Sequence, residues 1–153
     1  MLVTDRIQSS ALTEDLLERC ASRAAGYDRE NRFFQEDFDE LKAAGYLLSS
    51  VPKAFGGAGL NLAEVCREQA RLAYSAPATA LAVNMHLYWT GIAADLHRAG
   101  DHTLDWLLEE AGAGQVFAAG HGERGNDLPV LAFSSSAERG EGVRMGVRFA
   151  AER

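Results

Sequence analysis

The feature that most constrains the fold is a run from Leu72 to Ala94 that contains no Asp, Glu, Lys or Arg. An uncharged run of this length is either a membrane span or a helix surrounded by protein. A span requires roughly 20 almost wholly apolar residues, whereas Asn84 and His86 lie near the middle of this run, where hydrocarbon would make their burial costly. The run therefore predicts a buried helix whose small alanines allow neighbouring helices to approach closely.

Composition and charge narrow the class of protein. With 153 residues, of which 47% are hydrophobic, the chain fits one domain, or one domain and part of a second. The net charge of −7 argues against nucleic-acid binding, since neutralising phosphates needs clustered Lys and Arg. Cys20 and Cys66 lack the spacing of a disulfide or metal motif, and the first residues lack the apolar core of a secretion signal. We therefore expect a cytoplasmic protein with reduced cysteines and no membrane span.

Hydrophobic periodicity predicts five helices, over about residues 7–25, 29–44 and 61–75, from 77 to an end between 96 and 100, and over 102–111. Gly26 and Gly45 are the expected stops of the first two helices. Asn61 is expected to start the third helix, with Glu64 completing a capping box, and Pro77 suits the first turn of the fourth.

Residues 46–60, between the second and third helices, are apolar but are interrupted by Pro52, Gly56, Gly57 and Gly59. A phosphate-binding role for these glycines would require a Walker-type or dinucleotide-binding pattern, and neither is present. Proline fixes the backbone and glycines permit conformations that other residues avoid. The pattern predicts a tight loop that packs on the helices.

After Gly114 the hydrophobic period changes to that of strands. Residues 116–119 and 130–133 are strand candidates, and residues 143–149 alternate between apolar and other side chains in the way of a third strand. Three strands with unpaired edges make an incomplete sheet. The sequence therefore predicts a mostly α chain, with a five-helix N-terminal domain over residues 1–114 and an incomplete β-domain over residues 115–153.

Three stretches of the sequence resemble the N-terminal part of the acyl-CoA dehydrogenase superfamily of flavoproteins. Residues 38–60 are similar to the family's signature of a helix followed by a loop with a proline and paired glycines. Residues 78–87 are similar to its buried helix. Residues 113–127, AGQVFAAGHGERGND, resemble the strand and loop that the family writes as Thr-Glu followed by Gly-Ser-Asp.

The resemblance implies a helical N-terminal domain, a middle β-domain and a C-terminal four-helix domain, with FAD between the last two. It implies α,β-dehydrogenation of an acyl-CoA thioester, in which a carboxylate takes the α-proton while hydride goes to the flavin. The family's catalytic glutamate and most of its adenine contacts would follow Arg153, so no acid of this chain is predicted to be the base. We therefore expect a truncated chain that is inactive alone and is homo-oligomeric in its complete form.

Five residues match the positions where the family presents backbone groups and a hydroxyl to the flavin ring: Ala119, His121, Gly122, Gly125 and Asn126. Gly122 stands where the family has Thr, so one hydroxyl donor is lost. His121 either replaces that donor, since neutral imidazole offers one N–H, or is a solvent-exposed histidine on a loop.

His86 is the candidate substrate-binding residue, because it lies on the helix that would face the acyl pocket. It would donate a hydrogen bond to the substrate, or to a flavin–oxygen adduct, as in the similar flavin-dependent monooxygenases of the same superfamily. The interpretation that we favour is a core histidine hydrogen-bonded to a nearby carbonyl.

Two alternatives to the dehydrogenase therefore stay open at the sequence level. One is the flavin-dependent monooxygenase, and the other is a non-catalytic helical module that binds a partner. His97 and His102 lack metal-ligand spacing with each other or with a carboxylate, so no metal site is predicted.

Overall fold

The computed structural model of the chain describes residues 11–118 and the backbone of residues 136–139 and 145–148. The chain divides into two compact units, Met1–Ala118 and Ala119–Arg153. The described part of the first unit contains five α-helices: α1 (Glu14–Glu30), α2 (Gln35–Ala43), α3 (Leu62–Ser75), α4 (Pro77–Arg98) and α5 (Asp105–Gly112). The prediction of a mostly α, five-helix N-terminal domain is confirmed, while the predicted domain boundary between residues 114 and 115 stays a prediction.

The second unit contains the strands β1 (Ser136–Arg139) and β2 (Met145–Arg148), which pair antiparallel with Ser136 opposite Arg148. The strand β2 lies within the predicted strand at residues 143–149. The candidate strand at residues 130–133 lies outside the described residues.

The candidate strand at residues 116–119 is wrong over its described part, since residues 116–118 are in no strand. The N–H of Phe117 donates to the ring of His86 rather than to a neighbouring strand. The N–H of Gln115 bonds back to the carbonyl of Glu110 in α5. Backbone donors that serve a helix end and a side chain are not available for a sheet ladder.

The capping signals in the sequence are confirmed. The side chain of Asn61 accepts a hydrogen bond from the Glu64 N–H at 3.1 Å, and the Glu64 carboxylate accepts one from the Asn61 N–H at 2.9 Å. This is the predicted capping box of α3. Pro77 is the first residue of α4, and Gly45 follows α2 in a left-handed conformation with φ of 79°.

The predicted bounds of the first helix are wrong at both ends. The hydroxyl of Thr13 accepts from the N–H of Leu16 and caps a helix that begins only at Glu14. The helix continues through Gly26 and the buried Tyr27 to Glu30, and its C-cap is Asn31, which adopts a left-handed φ of 47°. Accordingly α2 begins at Gln35 and not near residue 29.

A buried carboxylate joins three helices of the first unit. Asp37 on α2 is fully buried and accepts from Arg23 Nε of α1 at 2.7 Å and from Thr79 Oγ1 of α4 at 3.0 Å. The Tyr27 hydroxyl of α1 lies 3.4 Å from the same carboxylate. Hydrogen bonds to Glu40 and Asp37 raise the pKa of Arg23, and burial raises the pKa of Tyr27 to about 12, so both groups keep their protons at neutral pH.

The apolar core has two parts. The larger part lies between α1, α2, α3 and α4 and includes the fully buried Leu41 and Leu72. The smaller part lies between α4, α5 and the loop after α2, around Val51 and Leu108. Each fully buried side chain of this size contributes about 1.5–3 kcal/mol, so the two parts together hold α4 against all its neighbours.

The expectation that the uncharged run is surrounded by protein is wrong for one face of α4. Leu81 is 76% exposed and Tyr88 is 50% exposed. The reason is that the buried positions of α4 face the other helices along one side only, and they are Thr79, Ala80, Val83, His86, Leu87, Thr90, Ala93 and Ala94. None of the helices within residues 11–118 combines the length and the hydropathy that crossing a membrane requires.

The glycine-containing loop after α2 is tight, as predicted. Its N–H groups at residues 58, 59 and 60 donate to the carbonyls of Leu48, Val51 and Ser49 at 2.8–3.0 Å. A Cβ atom at Gly57 would lie 2.0 Å from the carbonyl oxygen of Val51. Where α5 meets the loop, a Cβ atom at Gly112 would lie 2.4 Å from the carbonyl oxygen of Phe55. Gly57 and Gly112 are therefore required to be glycine, because the backbones at these positions are too close together for a side chain.

We expect Gly57→Ala to lower the free energy of unfolding by about 1–3 kcal/mol or more, since the added methyl group meets a backbone carbonyl that cannot turn aside. The matched control is Gly91→Ala, because Gly91 lies inside α4 with no atom within 4 Å of a built Cβ. That substitution should raise stability by up to about 1 kcal/mol through helix propensity. Urea denaturation of both variants measures the difference, and equal stabilities would contradict the close contact.

Candidate functional site

His86 is buried in the centre of the first unit and is held at both ring nitrogens. Nε2 lies 3.1 Å from the carbonyl oxygen of Leu47, and Nδ1 lies 3.1 Å from the N–H nitrogen of Phe117. A carbonyl can only accept and an N–H can only donate, so the proton is on Nε2 and Nδ1 is the acceptor. The hydrogen bond to a carbonyl is the interpretation favoured from the sequence, and a substrate-binding role stays a prediction.

The environment of His86 keeps the imidazole neutral. Burial lowers its pKa, the hydrogen bond to Leu47 acts in the opposite direction, and the charge of Lys42 lowers the pKa further. Aromatic packing supports the same orientation, since the Phe117 ring stacks on the imidazole with centroids 6.0 Å apart and planes 6° apart. His86 therefore fixes the position of Phe117 through both its ring nitrogen and its ring face.

A partly open cleft of about 150 Å³ lies beside His86. It is lined by the end of α2, the 3₁₀ turn Tyr46–Leu48, α4 and the segment after α5, through Lys42, Leu47, Leu48, His86, Ala111, Gly114, Gln115 and Val116. The Lys42 ammonium donates to the carbonyl of Gly114 at 2.8 Å, which ties α2 to this segment. A cavity of this volume accommodates a group the size of benzene. The cleft is thus a small, mostly apolar site with one cation and one neutral histidine.

The position of the cleft follows from local sequence features. Gly45 lets the chain turn sharply after α2, so that Leu47 and Leu48 face α4. Gly114 has a φ of 92° and turns the chain back after α5. Two left-handed glycines therefore bring the two walls of the cleft to the same side of His86.

The five predicted flavin-contacting residues, Ala119, His121, Gly122, Gly125 and Asn126, lie outside the described residues. The described segment ends at Ala118, one residue before the first of them.

The structure also brings together side chains that sequence spacing did not connect. His97 and His102, for which no metal-ligand spacing was expected, both contact the carboxylate of Asp105. The three residues come from the end of α4, the turn after it and the first position of α5. Helical periodicity does not extend across this turn, so the sequence carried no signal for the cluster.

Comparisons with known proteins agree with the fold. The profile of the family described as "Acyl-CoA dehydrogenase, N-terminal domain" matches residues 9–104. Among curated proteins the chain is similar to "Putative acyl-CoA dehydrogenase YdbM" of Bacillus subtilis (strain 168), with 29% identity over 93 residues, which are 61% of this chain and 24% of the relative. The aligned part thus spans about a quarter of that relative. No solved structure matches the chain.

We expect His86→Leu to lower the free energy of unfolding by about 1–3 kcal/mol at pH 7.5, because the Leu47 carbonyl and the Phe117 N–H lose their partner. The loss should shrink at pH 5.5. In the unfolded chain a histidine has an ordinary pKa of about 6.5, so the unfolded state takes up a proton that the folded His86, with its lowered pKa, resists. The wild-type chain therefore loses stability as the pH falls below about 6.5, and the leucine variant lacks this contribution.

Urea denaturation at the two pH values measures both effects. The control is Asn84→Leu, which introduces the same residue at an exposed position of the same helix. A His86→Leu effect that is independent of pH would contradict the neutral, doubly bonded imidazole.

Proposed function

Since the chain belongs to the family of acyl-CoA dehydrogenase N-terminal domains, we propose that it is the helical part of an FAD-dependent oxidoreductase that dehydrogenates an acyl thioester between Cα and Cβ. The observation that carries the proposal is the small apolar cleft beside His86, of which half of the lining residues lie within the matched residues 9–104. The chain's own part is to form a wall of the acyl site. A cytoplasmic location belongs to the same proposal.

The lining of the cleft is suited to a short acyl chain. Leu47, Leu48, Ala111 and Val116 offer apolar contacts within a volume of about 150 Å³. The Lys42 ammonium carries three N–H donors, so it has capacity for a ligand oxygen beyond its bond to the Gly114 carbonyl. We propose that the acyl group enters between these apolar side chains, with the more polar part of the thioester near Lys42.

The residues that would hold FAD are those implied by the resemblance, namely Ala119, His121, Gly122, Gly125 and Asn126. Accepting hydride is the chemistry that FAD supplies when it is bound. Within the first unit, His86 holds both the N–H and the ring of Phe117, and it lines the acyl cleft with a neutral ring.

The observed hydrogen bonds of His86 support the dehydrogenase over the flavin-dependent monooxygenase. That alternative was based on His86 as a donor to a flavin–oxygen adduct and on the loss of the family's threonine at Gly122, and the structure bears on the first of these. The only proton of the neutral ring is directed to the Leu47 carbonyl, and Nδ1 is occupied as an acceptor. The non-catalytic interaction module is left as the alternative of a different class.

The proposal is tested by isothermal titration calorimetry of the chain with a short-chain acyl-CoA, with free CoA and with FAD. We expect the acyl-CoA to bind more tightly than free CoA, since the acyl group fills the cleft. FAD should bind weakly or not at all, because the resemblance places most of its contacts in the domains that follow the helical one.

Matched variants locate the acyl binding. Val116→Trp fills the cleft from its exposed side and should abolish the preference for acyl-CoA over free CoA. The control is Leu62→Trp, which places the same ring on an exposed site of α3 away from the cleft and should leave that preference unchanged. Equal affinity for acyl-CoA and free CoA would contradict the acyl site. Tight binding to a complete acyl-CoA dehydrogenase without any acyl-CoA binding would support the interaction module instead.

We also propose that the chain self-associates through the exposed face of α4. Ala78, Leu81, Ala82 and Tyr88 form an uncharged exposed strip at helical spacing. We expect sedimentation velocity to show oligomers for the wild-type chain and a monomer for the double variant Leu81→Glu/Tyr88→Glu. Leu62→Glu, at an exposed leucine of α3, is the control and should leave the oligomers intact. A wild-type chain that is monomeric at high concentration would contradict this surface.

A further inference from the structure

We propose that His97, His102 and Asp105 form a binding site for a divalent transition-metal ion such as Zn²⁺. One nitrogen of each histidine and one carboxylate oxygen of Asp105 all lie within 4.8 Å of one another. Two imidazoles and a carboxylate are a donor set that Zn²⁺ and its neighbours in the first transition row prefer. The site is independent of the cleft beside His86 and of the proposed dehydrogenase function.

The geometry of the cluster is close to that of a coordination shell. Nδ1 of His97 lies 2.8 Å from Oδ1 of Asp105, and Nδ1 of His102 lies 2.9 Å from Oδ2. With metal–ligand bonds of about 2.0–2.1 Å, tetrahedral ligands are separated by about 3.3 Å. Since the two histidines contact different oxygens of Asp105, an ion held by both imidazoles and one carboxylate oxygen requires side-chain rotations that bring ligand atoms now within 4.8 Å of one another to about 3.3 Å.

The three ligands differ in exposure in a way that suits an open site. The side chains of His97 and Asp105 are 27% and 24% exposed, and that of His102 is 64% exposed. The inner pair is therefore partly fixed by its surroundings, while His102 is bonded to Asp105 and packs on the ring of His97 but is otherwise open to solvent. The open side leaves a fourth position for water, as in zinc sites with three protein ligands.

The backbone around the cluster holds the ligands in place before any ion binds. The turn after α4 is closed by the Asp101 N–H bonding to the carbonyl of Leu96 at 2.9 Å and by the Asp105 N–H bonding to the carbonyl of His102 at 3.2 Å. The edge of the Phe55 ring packs on His97, with centroids 5.1 Å apart and planes 80° apart. A ligand set that is ordered in advance loses less conformational entropy when the ion is bound.

The local charges also favour a cation. Burial acts to raise the pKa of Asp105, but hydrogen bonds from His97 and His102 outweigh it and lower the pKa, so Asp105 is a carboxylate at neutral pH. The carboxyl end of α4 adds partial negative charge near His97. The partial positive charge at the amino end of α5 repels a cation. The negative charge of the Asp105 carboxylate, at the first position of α5, offsets this repulsion.

Binding changes the partner of the ring nitrogens that face the carboxylate. In the ion-free cluster the imidazoles bond to the carboxylate through Nδ1. When Nδ1 coordinates the ion, the ring proton is carried on Nε2. The ion would then join the end of α4 to the start of α5 and restrain the turn between them.

The test is calorimetric titration of the full chain with Zn²⁺, together with the visible absorption spectrum of the Co²⁺ form and the melting temperature with and without Zn²⁺. We expect one saturable site per chain, visible d–d bands from Co²⁺, and a rise in melting temperature, because an ion that binds only the folded state stabilises it. His102→Ala should weaken Zn²⁺ binding at least about tenfold and remove the other two effects. Since His102 is largely exposed, this variant keeps the fold, which circular dichroism verifies.

Two control variants separate this cluster from other metal-binding groups. Glu110→Gln removes an exposed carboxylate from the same helix, and Cys66→Ser removes the exposed thiol of α3; both should bind Zn²⁺ as the wild-type chain does. Asp105→Asn keeps the size of the side chain and should weaken binding as His102→Ala does. The proposal is overturned if His102→Ala binds Zn²⁺ with wild-type affinity, or if Cys66→Ser abolishes binding.

Discussion

The fully buried carboxylate of Asp37 is the interaction on which the helical unit depends. A charge in an apolar interior is tolerated only when it is paired and hydrogen-bonded, and Asp37 obtains its partners from two other helices, through Arg23 of α1 and Thr79 of α4. Removing one partner from such a group typically costs about 3–5 kcal/mol. Because the apolar contacts between helices are not directional, this carboxylate defines which faces of α1, α2 and α4 meet.

That arrangement has a consequence for the cleft. Thr79 fixes the amino-terminal half of α4 against α2, and Ser50 bonds to Thr90 at 2.8 Å farther along the same helix. His86 lies between these two points and bonds to the Leu47 carbonyl. Thr79, His86 and Thr90 thus form a series of polar contacts along the buried side of α4. Of these three residues, His86 is the one that also lines the cleft.

Features of the sequence that act over one turn of chain were predictable. Asn61 with Glu64, Pro77 at the start of α4 and Gly45 after α2 each satisfy or remove a backbone hydrogen-bonding group locally, so their roles do not depend on the rest of the fold. The prediction that α1 stops at Gly26 was wrong because the sequence alone does not distinguish a glycine inside a helix from a glycine that follows one. The residue that ends α1 is Asn31, which tolerates a left-handed conformation better than most residues do.

Features that depend on which elements meet in space were not predictable. The absence of charge from Leu72 to Ala94 indicated burial, yet Leu81 is exposed because no described element packs on that side. A hydrogen bond from His86 to a backbone carbonyl was expected from the sequence. That the carbonyl belongs to Leu47 depends on the turn after α2. His97 and Asp105 belong to different helices, and only the geometry of the connecting turn places them within 2.8 Å of each other.

The contact between Gly112 and the carbonyl oxygen of Phe55 has a consequence for how the domain opens. Since the two backbones touch with no room for a side chain between them, we expect the amide hydrogens of the loop and of α5 to exchange with solvent together, as one cooperative unit. The walls that Leu48 and Ala111 give to the cleft belong to this unit. If the cleft binds an acyl group as proposed, it would then select among acyl groups by a rigid shape, with little adaptation to longer acyl chains.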